Sequence, residues 1–397
     1  MQTSFDVVVV GGAVVGSAVA YFLAQDPAFR GGGGRVLLLE KDLSFRNCAT
    51  TRSLASIRHQ FSTAENVRIS QFGTRFFREA AVRLAVDGQG PDLAFREAGY
   101  LFLAAGVGVG VGVLRANHAV QRSESADVAL QTPADLAARF PWLRVDDLAA
   151  GSLGLSGEGW IDAHALMNGL RQKARSLGVQ VLQAEATALE VAQGRVHAVV
   201  LQDGSRIVCG TVVNAAGTGA ARLARTAGIE LPVQSRKRCV YYFTSPATLP
   251  GCPLVIDPAG LYFRPEGDGF LCGLAPPEAD DPECHDFDVP LAAFEDQLWP
   301  MLAHRVPGFE AARLKSAWAG HYDVNLLDHN AILGPHPALP NLLFANGFSG
   351  HGVQQAPAVG RALAEWVVHG GWRSLDLSAL SWERVLQNRP LRELNVV

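Results

Sequence analysis

Cysteine is scarce in this chain of 397 residues: six in all, with no C-x-x-C pair. Cys48, Cys209, Cys239, Cys252, Cys272 and Cys284 lie far apart, which argues against a disulfide framework and fits a reducing compartment. The eleven histidines show no H-E-x-x-H or similar ligand spacing, so no metal site is expected. Charge is also thin. Charged residues make up 18% and the net charge is −4, so there is no basic field for nucleic acid or an anionic membrane. No Lys or Arg precedes Arg30, and Asp6 stands where a signal peptide would be positive. No stretch offers about 18 uninterrupted apolar residues, so no transmembrane segment is expected. The expectation is a cytoplasmic protein.

What is present is apolar and rich in glycine. A hydrophobic share of 48% supports an ordinary core, and the length leaves room for two domains. Residues 6–24 read DVVVVGGAVVGSAVAYFLA, an apolar strand, a tight turn and a small-residue helix. The dinucleotide fingerprint G-x-G-x-x-G falls on Gly11, Ala13 and Gly16, so its middle glycine is missing. A positive φ at Ala13 would cost about 1–2 kcal/mol. The expectation is that Ala13 keeps a negative φ while neighbouring N–H groups face a pyrophosphate. A second apolar strand ends at Glu40, whose carboxylate suits ribose hydroxyls and repels a 2′-phosphate, favouring FAD or NAD over NADP.

Farther along, residues 65–84 are patterned as a helix and 99–105 as a strand. The low-complexity run GVGVGVGV (106–113) reads as a turn leading into a helix. Thr132 followed by Pro133 marks a helix start, and residues 163–177 form another helix. Residues 232–318 turn to short β segments and prolines, as a separate sheet-based domain would. The strand at 342–345 then leads through a glycine turn into a helix, whose N-terminus carries about half a positive charge. Ser349 is not a nucleophile elbow, because His351 breaks G-x-S-x-G.

Nine stretches carry a family resemblance: SIRHQFSTAENVRIS, FPWL, GEGW, VVNAAG, RKRCVYYF, LYFRPEG, WAGHYD, GPHP and GFSGHGVQQAPAVGR. In this order they resemble the D-amino-acid oxidase/sarcosine oxidase (DAO) superfamily of FAD-dependent oxidoreductases. Within it the chain is most similar to the mitochondrial FAD-dependent oxidoreductase domain-containing group linked to respiratory complex I assembly. The resemblance implies noncovalent FAD and an α/β fold of two domains. A Rossmann-like FAD-binding domain would comprise 1–88, 149–228 and 323–397, with a β-sheet-based substrate domain from 89–148 and 229–322. By motif, Gly11, Gly12, Ala13, Val15 and Gly16 would face the pyrophosphate, with Glu40 and Lys41 at the adenosine end. Thr50, Thr51, Arg52 and Ser53 fall in the second phosphate loop, and Ala216 and Gly217 in a later cofactor turn. Gly347, Ser349, Gly350, His351, Gly352, Val353 and Gln354 match the flavin-ring turn.

The resemblance also implies a substrate. Arg58 matches a carboxylate-binding arginine, although read alone it could be a surface ion pair. Tyr262 and Tyr322 match ring-side positions and otherwise read as core aromatics, while His351 is either a flavin neighbour or a residue fixing the turn. Gln354 stands where sarcosine oxidases have lysine, and Gly320 where covalent relatives have cysteine. No oxygen-activating lysine falls near Tyr262, which favours a dehydrogenase with a separate electron acceptor. Lys237 or Arg238 is a candidate for the domain interface. The implied reaction is oxidation of the C–N bond of a small amino acid or N-alkyl amino acid, by hydride transfer to flavin N5 to give an imine. The alternatives are a 2-hydroxy-acid dehydrogenase on the same fold, or a flavin-holding assembly protein with little turnover.

Overall fold

The computed structural model describes residues 4–106 and 109–394, which build two eight-stranded sheets. The apolar run expected near the N-terminus is the strand Ser4–Val10, at the centre of the first sheet. It pairs in parallel with Val36–Glu40 on one side and Arg206–Asn214 on the other. Gln180–Gln183 and Leu339–Asn346 extend the parallel array outward. Val8 and Val9 are wholly buried, as strands covered on both faces require. Helices Val14–Gln25 and Gly352–His369 cross over small residues on one face. A Cβ on Gly360 would come within 2.7 Å of Ala18, so a larger residue would push the helices apart.

The second sheet contains Arg313–Asn325, Val233–Thr244, Gly269–Leu274, Leu261–Glu266, Leu254–Ile256, Tyr100–Ala105, Leu148–Gly154 and Val128–Gln131, in that order. Its core is aromatic: Phe309 meets Phe243, Phe263 and Phe270 at ring distances of 5.1, 5.6 and 4.8 Å.

Strands of the second sheet run across two of the expected domain boundaries. Leu148–Gly154 was expected to open an FAD-binding segment at 149, yet it pairs with Tyr100–Ala105 and Val128–Gln131 in the second sheet. Arg313–Asn325 runs through the expected boundary at 322 and stays paired with Val233–Thr244 out to Asn325. Locally, the 65–84 helix is two pieces, Ala64–Arg78 and Ala80–Arg83, divided at Glu79. The glycine-rich loop after Asp26 contains a short helix, Pro27–Gly31, whose first N–H groups bond the Asp26 carboxylate. Thr132 and Asp135 form a capping box on Pro133–Arg139. Of the low-complexity run, Val107 and Gly108 lie outside the described residues, and a helix starts at Val109.

An acidic strap crosses the basic strand of the second sheet. Asp281 takes both terminal nitrogens of Arg238 at 2.9 and 2.8 Å, and Asp286 takes Lys237 at 2.7 Å. Phe287 of the same strap stands edge-on to His321 at 4.5 Å. Lys237 and Arg238 thus hold this strap beside the junction of the two sheets.

Candidate active site

A long-walled cavity opens at the C-terminal ends of the parallel strands, where ligands of open α/β sheets bind. It encloses about 1310 Å³ of empty space, part of it open to solvent. Glu40, Lys41 and Ala184 line one end; Gly11, Ala13, Val15, Thr50 and Ser53 line the middle with Ala216 and Gly217. Tyr322, Gly350, Gly352 and Val353 line the other end.

The turn at the first strand end depends on close backbone contacts. Gly11 has φ +103°, and a Cβ there would lie 2.2 Å from the Ala215 carbonyl oxygen. A Cβ on Gly16 would lie 1.8 Å from the Gly11 oxygen, so the helix could not seat against the turn. Ala13 has φ −68°, the negative value expected, and its methyl requires no left-handed backbone. It caps Val14–Gln25 without a side-chain bond, and no acidic residue occupies the first turn. The helix therefore presents its N-terminal charge to the cavity. Gly12 donates to Glu40 Oε2 at 2.8 Å, and Asp42 donates to Oε1 at 2.9 Å, which fixes the carboxylate at the strand end.

A cleft with a helix start that no local side chain caps and an acid at one end fits a dinucleotide. The phosphate loop contributes unevenly. Thr50 Oγ1 accepts the Val14 N–H at 3.3 Å, and Ser53 lines the cavity. Thr51 and Arg52 do not line it. Thr51 bonds the Phe45 carbonyl, while Arg52 donates to Arg46, Asn47 and Ala319 and lies 5.0 Å from the Phe287 ring. A Cβ on Gly320 would lie 3.0 Å from Arg52 Cβ, so this close approach accounts for the glycine there.

At the far end, Asp323 organises the glycine turn. Its Oδ2 accepts the Gly347 N–H at 2.7 Å, its carbonyl accepts the Ser349 N–H at 3.1 Å, and burial pushes its pKa up to about 6. Gly347 and Ser349 have positive φ and support the turn without lining the cavity. Gly350, at φ +96°, lies flat on Tyr322, where a Cβ would come within 2.5 Å of the ring.

Next to this end is a smaller cavity lined by Arg58, Tyr100, Tyr262, Tyr322, Gly350 and His351, among others. Arg58 is 3% exposed, so it is no surface ion pair. Its guanidinium donates to Tyr100 Oη at 3.3 Å, lies 2.7 Å from His351 Nε2 and sits 4.7 Å from the Phe61 ring centre. Such contacts compensate a buried cation. Burial raises the Tyr262 pKa well above its usual value and raises that of Tyr322, so both phenols stay protonated. Gln354 faces away from the cavity: its Oε1 accepts the Arg58 backbone N–H at 2.9 Å.

The structure adds residues that the sequence reading did not single out. Glu158, in the GEGW stretch, is wholly buried beside this cluster. It accepts the His59 N–H at 2.6 Å and Gln60 Nε2 at 2.9 Å, and burial pushes its pKa up to about 7. Gly154 makes room for it, since a Cβ there would meet Glu158 Oε2 at 1.8 Å. Tyr100 read only as part of a strand, and Asp323 only as part of WAGHYD. Among the described residues no group of three or more His, Cys, Asp or Glu could hold a metal ion, and no helix is long and apolar enough to cross a membrane.

Residues 6–366 match the family model described as DAO, FAD dependent oxidoreductase. FAD-dependent oxidoreductase domain-containing protein 1 of Xenopus laevis is 39% identical over 99% of this chain and 85% of its own. Mitochondrial sarcosine dehydrogenase of Mus musculus is 26% identical over 93% of this chain but 40% of its own. Among solved structures, L-proline dehydrogenase from P.horikoshii superposes with a TM-score of 0.83 at 24% identity, covering 98% of this chain and 99% of that one. Glycine oxidase from Geobacillus kaustophilus gives 0.80 at 24%, covering 96% and 98%. Those two likenesses show the shared fold, and the family match gives the cofactor: the chain belongs to the DAO family of FAD-dependent oxidoreductases.

Proposed function

We propose that the protein oxidises the C–N bond of a small amino acid or N-alkyl amino acid held through its carboxylate. The observation that carries this reading is Arg58, a buried guanidinium in a small tyrosine-lined cavity at the glycine-turn end of the cofactor cleft. A guanidinium fork suits a carboxylate, and each such charge-assisted bond contributes roughly 1.5–3 kcal/mol. Tyr262 and Tyr322 offer protonated hydroxyls to orient the substrate, and their rings limit its size. FAD would be held noncovalently by Gly11, Gly12, Ala13, Val15, Gly16 and Glu40 at the dinucleotide end, with Gly350, Gly352 and Val353 at the other end of the cleft. When bound, FAD would supply the two-electron oxidant for converting the C–N bond to an imine, which water hydrolyses. The protein's part is to fix the carboxylate, aim the C–H bond and exclude water.

The test is anaerobic mixing of the holoprotein with glycine, N-methylglycine, L-proline and lactate, following flavin absorbance. Bleaching by one of the amines is the expected result. Bleaching by lactate alone would favour a hydroxy-acid dehydrogenase, and no bleaching at all would leave a flavin-holding protein. Adding oxygen to the reduced protein then separates oxidase from dehydrogenase, with slow reoxidation expected.

A further inference from the structure

His351 immediately precedes the helix Gly352–His369, with its imidazole buried in the wall of the substrate cavity. The ring hydrogen-bonds the Phe348 backbone and stands edge-on to Phe61 at 5.1 Å, which fixes its orientation. Its Nε2 lies 2.7 Å from Arg58 Nη2. A guanidinium can only donate, so Nε2 carries a lone pair and the ring proton sits on Nδ1. The charged and titratable groups around it come from several elements. Arg58 contacts it directly, and His329 acts on it from the loop before Ile332–His336. Tyr100, Tyr262 and Tyr322 share the cavity, and Glu158 lies behind Arg58. Burial and the Arg58 charge hold the imidazole neutral.

The two side chains meet in a cavity where an amino acid would need both of them. A carboxylate competes for the guanidinium with a full negative charge, which a neutral imidazole cannot match. We propose that a substrate carboxylate draws the Arg58 guanidinium off His351, and that the freed Nε2 then accepts a proton from the substrate ammonium. This rests on the amino-acid reading of the site. One N–H bond of the ammonium breaks and its electron pair stays on the amine nitrogen, while a new N–H bond on Nε2 makes an imidazolium. The carboxylate that neutralises Arg58 also stabilises that imidazolium, so the base gains strength only when substrate is bound. The neutral amine is the form whose lone pair can build the C=N bond as the C–H electrons leave.

Two measurements on the holoprotein test this. In 15N-histidine spectra, with His351 assigned by its loss in His351→Gln, acetate serves as a carboxylate without an ammonium. Acetate should raise the His351 pKa by about one unit or more. In anaerobic stopped flow with the amine that reduces the wild type, His351→Gln should slow flavin reduction at neutral pH by about a hundredfold. The rate should recover as pH approaches the pKa of the free amine, because solution then supplies the neutral form. Acetate affinity should change little, since Arg58 remains. An imidazole signal unmoved by acetate, or an unchanged pH profile in His351→Gln, overturns the proposal. Failure of glycine, N-methylglycine and L-proline to reduce the wild type instead overturns the functional reading, and the acetate spectra still report separately on the Arg58–His351 exchange.

Discussion

Gln354 holds the backbone of Arg58: its Oε1 accepts the Arg58 N–H at 2.9 Å across 296 residues of sequence. Ser70 Oγ also donates to this oxygen at 3.2 Å. The helix that begins at the glycine turn and the proposed carboxylate-binding arginine therefore move together. Gln354→Leu should leave a buried N–H unsatisfied and lower stability by about 1–3 kcal/mol in denaturant unfolding. It should also weaken acetate binding. Unaltered acetate affinity in a destabilised variant would show that the two are not coupled.

The dinucleotide turn predicts opposite outcomes at two neighbouring positions. Gly11→Ala adds a methyl 2.2 Å from a backbone oxygen at φ +103°, so the purified variant should lose FAD and melt earlier. Ala13 already has an extended backbone, so Ala13→Gly should keep its flavin and lose no more than about 1 kcal/mol. The ratio of flavin absorbance to protein absorbance reads both results. Flavin retained in Gly11→Ala would contradict the packing argument.

Arg58→Lys keeps the charge and loses the fork. Carboxylate affinity should fall by about ten- to a hundredfold, equivalent to one charge-assisted bond. FAD content should stay the same, because Arg58 is absent from the walls of the cofactor cleft. Equilibrium titration with acetate separates this outcome from a general loss of the cofactor.

Glu158 and His59 give pH effects of opposite sign. The Glu158 pKa rises from 4.5 to about 7 on folding, so the folded protein retains a proton that the unfolded chain has lost. Its contribution is fully present below 4.5 and is lost as pH climbs through about 7. The His59 pKa falls from 6.5 to about 4, so its contribution is present above 6.5 and is lost as pH falls through about 4. Denaturation midpoints of Glu158→Gln across this range should lose the part of the wild-type downward slope that Glu158 supplies between pH 4.5 and about 7. Persistence of that slope would assign it to another group, such as Asp323.

The first strand, its turn and the acidic strand end could be read from the sequence because each is local. A β-branched run, a glycine needing positive φ and an acid at the next strand end are visible within residues 6–40. The Thr132 cap was legible for the same reason. Glu158 was not, since its perturbed carboxyl arises from burial against residues 58–60, nearly a hundred positions away. Thr51 and Arg52 lay in the right loop, yet their side chains turn to partners that only the folded chain brings near. Leu148–Gly154 could not be assigned to a sheet in advance, because strand patterning reports burial and not which neighbour provides it. The family resemblance supplied the cofactor, while the geometry showed which matched residues line the cleft.

The cleft walls come from both ends of the chain, from Val10 to Val353. During synthesis the ribosome releases the first strand long before Leu339–Asn346 can pair beside Arg206–Asn214. The cleft therefore stays incomplete until most of the polypeptide has emerged. A nascent chain halted at residue 330 would carry the GGAVVG turn without the glycine turn that closes the site.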